Sequence, residues 1–224
     1  MSQLAIGVCW LRLAPRILVT GFSIFDNYLY NPTSQIVEDI NGAIVNGIVV
    51  EGMVLPVSFK RVVSILRTVL EERRPAIVVG LGFAPRASKV VVEIASTNIA
   101  YFQAPDVDGY LAEGIEIESG GKLVVETSIP LKDVVEYCTK TLRLPVVPGM
   151  SIGTYLCNTA AYIIMSYAER RNAIGGFLHI PPTTDVSMRL RLPSSLPYRE
   201  VLDAVLCVLR VCVDYARRKG VIQP

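Results

Sequence analysis

Short apolar runs rich in Val and Ile alternate along this chain with segments of helical period, and no other feature constrains the fold as strongly. Arg16-Ile17-Leu18-Val19-Thr20-Gly21 is the first such run, stopped by glycine, the pattern of a parallel strand buried on both faces. Ala76 to Leu81 and Gly176 to Ile180 repeat it. Between them, residues 33–40 read as a short helix and residues 43–57 as one or two strands closed by Pro56. Val62, Val63, Ile65, Leu66, Val69 and Leu70 then recur at helical spacing, with Arg73 and Arg74 in the last turn before Pro75. Residues 89–102 read as one longer strand, 109–122 as a loop or hairpin, 131–143 as a helix and 145–148 as a strand. Residues 154–172 are strongly helical, and 197–219 form a last amphipathic helix ended by Gly220. Alternation of this kind predicts a single three-layer α/β/α domain with a largely parallel central sheet. Residues 1–16 form an N-terminal extension to a domain spanning 17–224, with no repeat, low-complexity tract or linker to divide it.

Composition narrows the function. With 51% hydrophobic and 19% charged residues, the chain is outside the range of intrinsic disorder. Twenty-two basic against twenty acidic side chains leave a formal charge of only +2, without a clustered Lys/Arg tract, so neither nucleic acid nor an anionic membrane is an expected partner. No uncharged apolar run reaches the roughly 18–20 residues of a membrane span. The apolar start carries Arg12 and lacks a basic n-region, which argues against a secretory signal. The five cysteines are odd in number and scattered, which suits neither a disulfide framework nor zinc-ligand spacing. A cytoplasmic protein with no metal is the expectation.

Open α/β sheets place ligands at the carboxyl ends of their strands, so the residues after each strand carry the chemistry. The one histidine, His179, ends a strand beside the Pro181-Pro182 turn. It is the only side chain here whose unperturbed pKa lies near neutrality, although a lone histidine is more often a satisfied core or surface residue. Cys138, Cys207 and Cys212 fall within amphipathic helices, where thiols act as small inert hydrophobes, and Cys9 lies in the extension. Cys157 sits instead in the first turn of a helix, after Ser151-Ile152-Gly153-Thr154-Tyr155-Leu156. There the macrodipole and unpaired N–H groups favour a thiolate and can hold an oxyanion; a buried helix cysteine is the plain alternative. Glu93, inside the apolar run Val90-Val91-Val92-Glu93-Ile94-Ala95, either pairs with a buried partner or points to solvent from an edge strand.

Taken in order, these segments resemble the pyrrolidone carboxyl peptidases (pyroglutamyl peptidase I). Thr20-Gly21-Phe22-Ser23-Ile24-Phe25 with Asn31-Pro32-Thr33 is similar to that family's opening, and Leu55-Pro56-Val57-Ser58-Phe59 to its L-P-V-x-F. Gly80-Leu81, Arg86, Glu93 and Asn98 come next, then Pro105-Asp106-Val107-Asp108-Gly109 and Ser128-Ile129-Pro130. Gly153 to Asn158 resembles its A-G-x-x-x-C-N, and Gly176 to Pro181 its G-F-x-H-x-P. The resemblance implies a phosphorylase/hydrolase-like α/β domain and a cysteine exopeptidase that removes an N-terminal pyroglutamyl residue from peptides, without metal or cofactor. It implies Cys157 as nucleophile, His179 as general acid/base and Glu93 as orienting carboxylate. Phe22 and Phe25 become walls of a lactam pocket, with Leu81 and Arg86 also at the substrate, and the protein a homo-oligomer, dimer or tetramer.

The match is incomplete. Asp26, Met150 and Val107 replace family residues near the expected substrate site. Counting forward from Arg86 puts the family's acid on Val92, whereas counting back from Pro105-Asp106 puts it on Glu93. An extra residue is easier to place in a loop than in a strand, where it would flip every later side chain, so the downstream register is preferred. A cysteine hydrolase of altered acyl specificity and a catalytically silent binding protein on the same scaffold stay open. A nucleoside-phosphorylase-like enzyme lacks a phosphate-binding Gly-rich loop to support it.

Overall fold

The computed structural model describes residues 16–24, 30–150 and 152–223. Nearly all of the N-terminal extension, together with Phe25 and Asp26, lies outside them. The chain runs β1 (Ile17–Phe22), α1 (Pro32–Ile40), β2 (Ile44–Val45), β3 (Ile48–Leu55), α2 (Phe59–Arg73), β4 (Ile77–Phe83) and β5 (Val90–Glu93). It continues through β6 (Ala95–Thr97), β7 (Ala100–Tyr101), β8 (Glu113–Ile115) and β9 (Val124–Glu126). Then come α3 (Leu131–Val134), which runs on as a π-helical segment (Val135–Thr141), β10 (Val146–Gly149), α4 (Leu156–Arg171), β11 (Ile174–Ile180), α5 (Thr184–Leu190) and α6 (Tyr198–Arg218).

Seven strands form the central sheet in the order β10-β5-β11-β4-β1-β3-β2. Its pairs are parallel except β11 with β5 and β2 with β3. Strand alternation divides the core into two layers. Ile17, Val19, Ile77, Val79, Leu81, Val92 and Leu178 pack with α1, α3 and α6 on one face. Leu18, Val78 and Phe177 pack with α2 and α4 on the other. This is the three-layer α/β/α arrangement with a mostly parallel sheet.

Two sequence expectations need correction. Residues 89–102 are three short strands, not one: β5 stays in the central sheet, β6 pairs with β9, and β7 pairs with β8. No glycine or proline marks the break. The chain leaves the sheet because the side chain of Asn158, arriving from α4, bonds Ser96, Thr97 and the carbonyl of Ile99.

Cys138 and Cys207 are likewise not separate thiols. They form a disulfide that joins the π-helical segment to α6 across 69 residues, with both side chains fully buried. Scattered spacing concealed the pair, since only the packing of α3 and α6 on one sheet face brings the two together. On chain-entropy grounds such a loop contributes roughly 4 kcal/mol. Cys212, free and buried nearby, has its thiol pushed up to about 12 by burial, which keeps it protonated and unreactive. No helix among the described residues is long and apolar enough to cross a membrane.

Candidate active site

The site assembles where β4, β5 and β11 meet the start of α4. In the parallel β4–β11 pair, Gly82 lies opposite His179. In the antiparallel β11–β5 pair, Phe177 lies opposite Glu93 and His179 opposite Val91. Side chains two residues apart share a face, so Glu93, Phe177, His179 and Gly82 all look toward the α2–α4 layer. Glu93 and His179 are diagonal neighbours, close enough for long side chains to meet. His179 Nδ1 lies 2.6 Å from Glu93 Oε1, with Glu93 only 1% exposed. The rings of His179 and Phe177 also pack in a T-shaped arrangement, with centroids 5.5 Å apart.

Cys157 reaches this face from the first turn of α4. Its neighbour Asn158, fully buried, anchors that turn: Oδ1 accepts from Ser96 Oγ and the Thr97 N–H, and Nδ2 donates to the carbonyls of Thr97 and Ile99. Thr154 Oγ1 ties the approach loop to the carbonyl of Tyr101 at 2.7 Å. Glycine at position 82 makes room for the thiol. A Cβ there would stand 2.6 Å from Cys157 Sγ and 2.8 Å from the Phe177 ring. Phe177 is fully buried, so the thiol is the group that would have to move. Gly82→Ala is therefore expected to lower kcat/KM of thiol-dependent turnover roughly tenfold to a hundredfold while the chain stays folded. Circular dichroism alongside steady-state kinetics checks this, and an unimpaired Gly82→Ala enzyme would show that the thiol need not sit where it does.

The electrostatics arise from the same contacts. Burial alone would lower the pKa of His179. Hydrogen bonds and charge from Cys157 and Glu93 outweigh it and push the pKa up to about 10. The ring is then an imidazolium at neutral pH. Because the folded chain holds this proton more tightly than the ordinary value of 6.5, the associated stability is complete below about pH 6.5 and is lost as pH rises through about 10.

Two clefts flank the pair and share Pro85. The smaller, about 120 Å³, is apolar and lies against Cys157, walled by Phe22, Val57, Phe83, Pro85 and Tyr155. Asn31 also borders it; its Oδ1 caps α1 through the Thr33 N–H and its Nδ2 donates to the carbonyl of Ser23, which ties the end of β1 to the start of α1. The larger, about 430 Å³, lies against His179 and includes Ala84, Pro85, Arg86, Val91 and Glu93.

The structure thus brings together Cys157, His179 and Glu93, sets Phe22 in the smaller cleft and Arg86 at the larger. Val92, the acid's other possible register, points into the opposite core layer. The Leu81 side chain is fully buried on the α1–α6 face, one residue out of phase with Gly82. Met150 and Val107 are exposed and line neither cleft, although the Val107 N–H bonds the carbonyl of Val57, a cleft residue. Sequence reasoning missed Phe83, Pro85 and Tyr155 as lining residues and Gly82 as the seat of the thiol. The loop after β4 and the turn before α4 were the signals available for the first three.

A family model described as pyroglutamyl peptidase matches residues 15–215. The chain is 31% identical over 199 residues to a pyrrolidone-carboxylate peptidase of Saccharolobus islandicus, covering 89% of this chain and 93% of that protein. It is 33% identical over 213 residues to the pyrrolidone-carboxylate peptidase of Thermococcus litoralis, covering 91% and 95%. The solved structure of pyrrolidone carboxyl peptidase from Thermococcus litoralis superposes with a TM-score of 0.85 at 30% identity, over 92% of this chain and 96% of that one.

Proposed function

The chain belongs to the pyroglutamyl peptidase family of cysteine peptidases, and from that premise we propose that it removes N-terminal pyroglutamyl residues with Cys157, His179 and Glu93 as its working groups. The observation that carries this reading is the 2.6 Å Glu93–His179 contact beside the thiol of Cys157. The small apolar cleft suits the pyroglutamyl ring, a flat uncharged lactam that aromatic walls and a few hydrogen bonds can hold. Phe25, outside the described residues, stays in the proposal as a further wall.

Cys157, as thiolate, attacks the carbonyl carbon of the pyroglutamyl residue. Tyr155 contributes no side-chain cap to α4, so N–H groups of the first turn are available to the oxyanion. Glu93 holds Nδ1 of the imidazolium, and Nε2 gives its proton to the leaving nitrogen as the C–N bond breaks and the thioester forms. Water then attacks the thioester, passing a proton to His179, and pyroglutamate leaves as Cys157 returns to thiolate. No step calls on a metal or cofactor, and no cluster of metal-binding side chains is present among the described residues.

The test is release of a chromogenic amine from pyroglutamyl, glutamyl and prolyl amides by the purified protein. Hydrolysis of the pyroglutamyl amide alone is expected, abolished by iodoacetamide and unaffected by EDTA. Activity that survives alkylation, or that EDTA removes, would refute the assignment. The same proposal includes a cytoplasmic location and a homo-oligomeric state. Exposed Leu123 and Val124 at β9 supply apolar surface for the second.

A further inference from the structure

The larger cleft borders His179, the group that must reach the leaving nitrogen. The acyl group occupies the cleft against Cys157, and the leaving nitrogen must stand within reach of the His179 proton. The part of the substrate beyond that nitrogen therefore runs into the cleft bounded by Ala84, Pro85, Arg86, Val91, Glu93 and His179. The loops beside it carry basic side chains. Residues 84–89 contain Arg86 and Lys89 and no acid. Segment 191–196, held against that loop by the Ser194 Oγ bond to the Ala87 carbonyl, adds Arg191 and again no acid. Among the described lining residues Glu93 is the one carboxylate, and it faces the imidazolium. Arg86 is exposed and makes no ion pair among the described residues, so its fork of donors is open to a ligand.

We propose that Arg86 binds the carboxylate of a single-residue leaving group, so that pyroglutamyl dipeptides with a free C-terminus are preferred over substrates whose leaving group is neutral. This rests on the pyroglutamyl reading of the site and adds to it the chemistry of the departing half. A planar guanidinium pairs with carboxylate through two parallel hydrogen bonds, which neither a carboxamide nor a continuing peptide chain reproduces. The preferred substrate is then the last fragment left after other peptidases have shortened a pyroglutamyl peptide from its C-terminus.

The experiment compares kcat/KM for pyroglutamyl-alanine and pyroglutamyl-alaninamide in the wild type, Arg86→Ala and Arg86→Lys. The wild type is expected to favour the carboxylate about tenfold, chiefly through KM. Arg86→Ala is expected to bring the ratio to about one, and Arg86→Lys to restore part of it. Added salt should erode the wild-type preference, since an exposed cation is screened. A wild-type ratio near one, or a ratio that Arg86→Ala leaves unchanged, overturns the inference while leaving the pyroglutamyl reading intact. Cleavage of neither substrate defeats the pyroglutamyl reading, and this inference with it.

Discussion

Cys157→Ser is expected to lower kcat by roughly four to six orders of magnitude, the scale seen when the nucleophile of a cooperating catalytic set is removed. The hydroxyl fits the space over Gly82, so folding should be unaffected, but a hydroxyl is intrinsically a far poorer nucleophile than a cysteine sulfur. Limited alkylation with iodoacetamide, followed by mass spectrometry, supplies the matching chemical result. Among the thiols of the described residues the first label should fall on Cys157, which is half-buried and free, and activity should decline in step with it. Cys212→Ala should remain active, because that thiol is fully buried and held protonated. A first label on Cys212, or an active Cys157→Ser protein, would place the nucleophile elsewhere.

Glu93→Gln is expected to cost roughly tenfold to a thousandfold in kcat, less than the four orders seen for the acid of a Ser–His–Asp triad. The amide keeps the size of the carboxylate but removes the charge that favours imidazolium. His179 should then release its proton at lower pH, so the alkaline limb of the kcat/KM profile should move downward from about 10. That shift separates positioning from mere packing, which would alter stability without moving the limb. Rescue by Glu93→Asp is expected to be partial, since a shorter carboxylate keeps the charge but not the 2.6 Å contact. An unshifted profile with full activity in Glu93→Gln would reduce the working set to Cys157 and His179.

Much of the fold was legible because burial on both sheet faces leaves a plain mark. β1, β4 and β11 read as unbroken apolar runs bounded by glycine or proline, and α2, α4 and α6 as segments of helical period. The features that escaped were decided by distant parts of the chain. Asn158 peels residues 95–101 from the sheet, α3 and α6 pair two cysteines, and the π-helical segment obeys no local period. At the site, the side chains with chemistry to declare could be named from the strand ends and the helix start. The small and apolar residues around them could not. Leu81 and Gly82 are neighbours in sequence, yet strand alternation sends one into the far core and leaves the other under the thiol.

The disulfide has a topological consequence beyond its energy. It closes a ring of chain from Cys138 to Cys207, and within that ring lie β10, α4 with Cys157, β11 with His179, and α5. A protease that severs one peptide bond inside the ring, for instance in the partly exposed segment around Arg191, releases no fragment: both new ends stay tethered through the buried sulfurs. The helix that carries the thiol and the strand that carries the base would still belong to one covalent molecule, and their reunion would be intramolecular, independent of protein concentration.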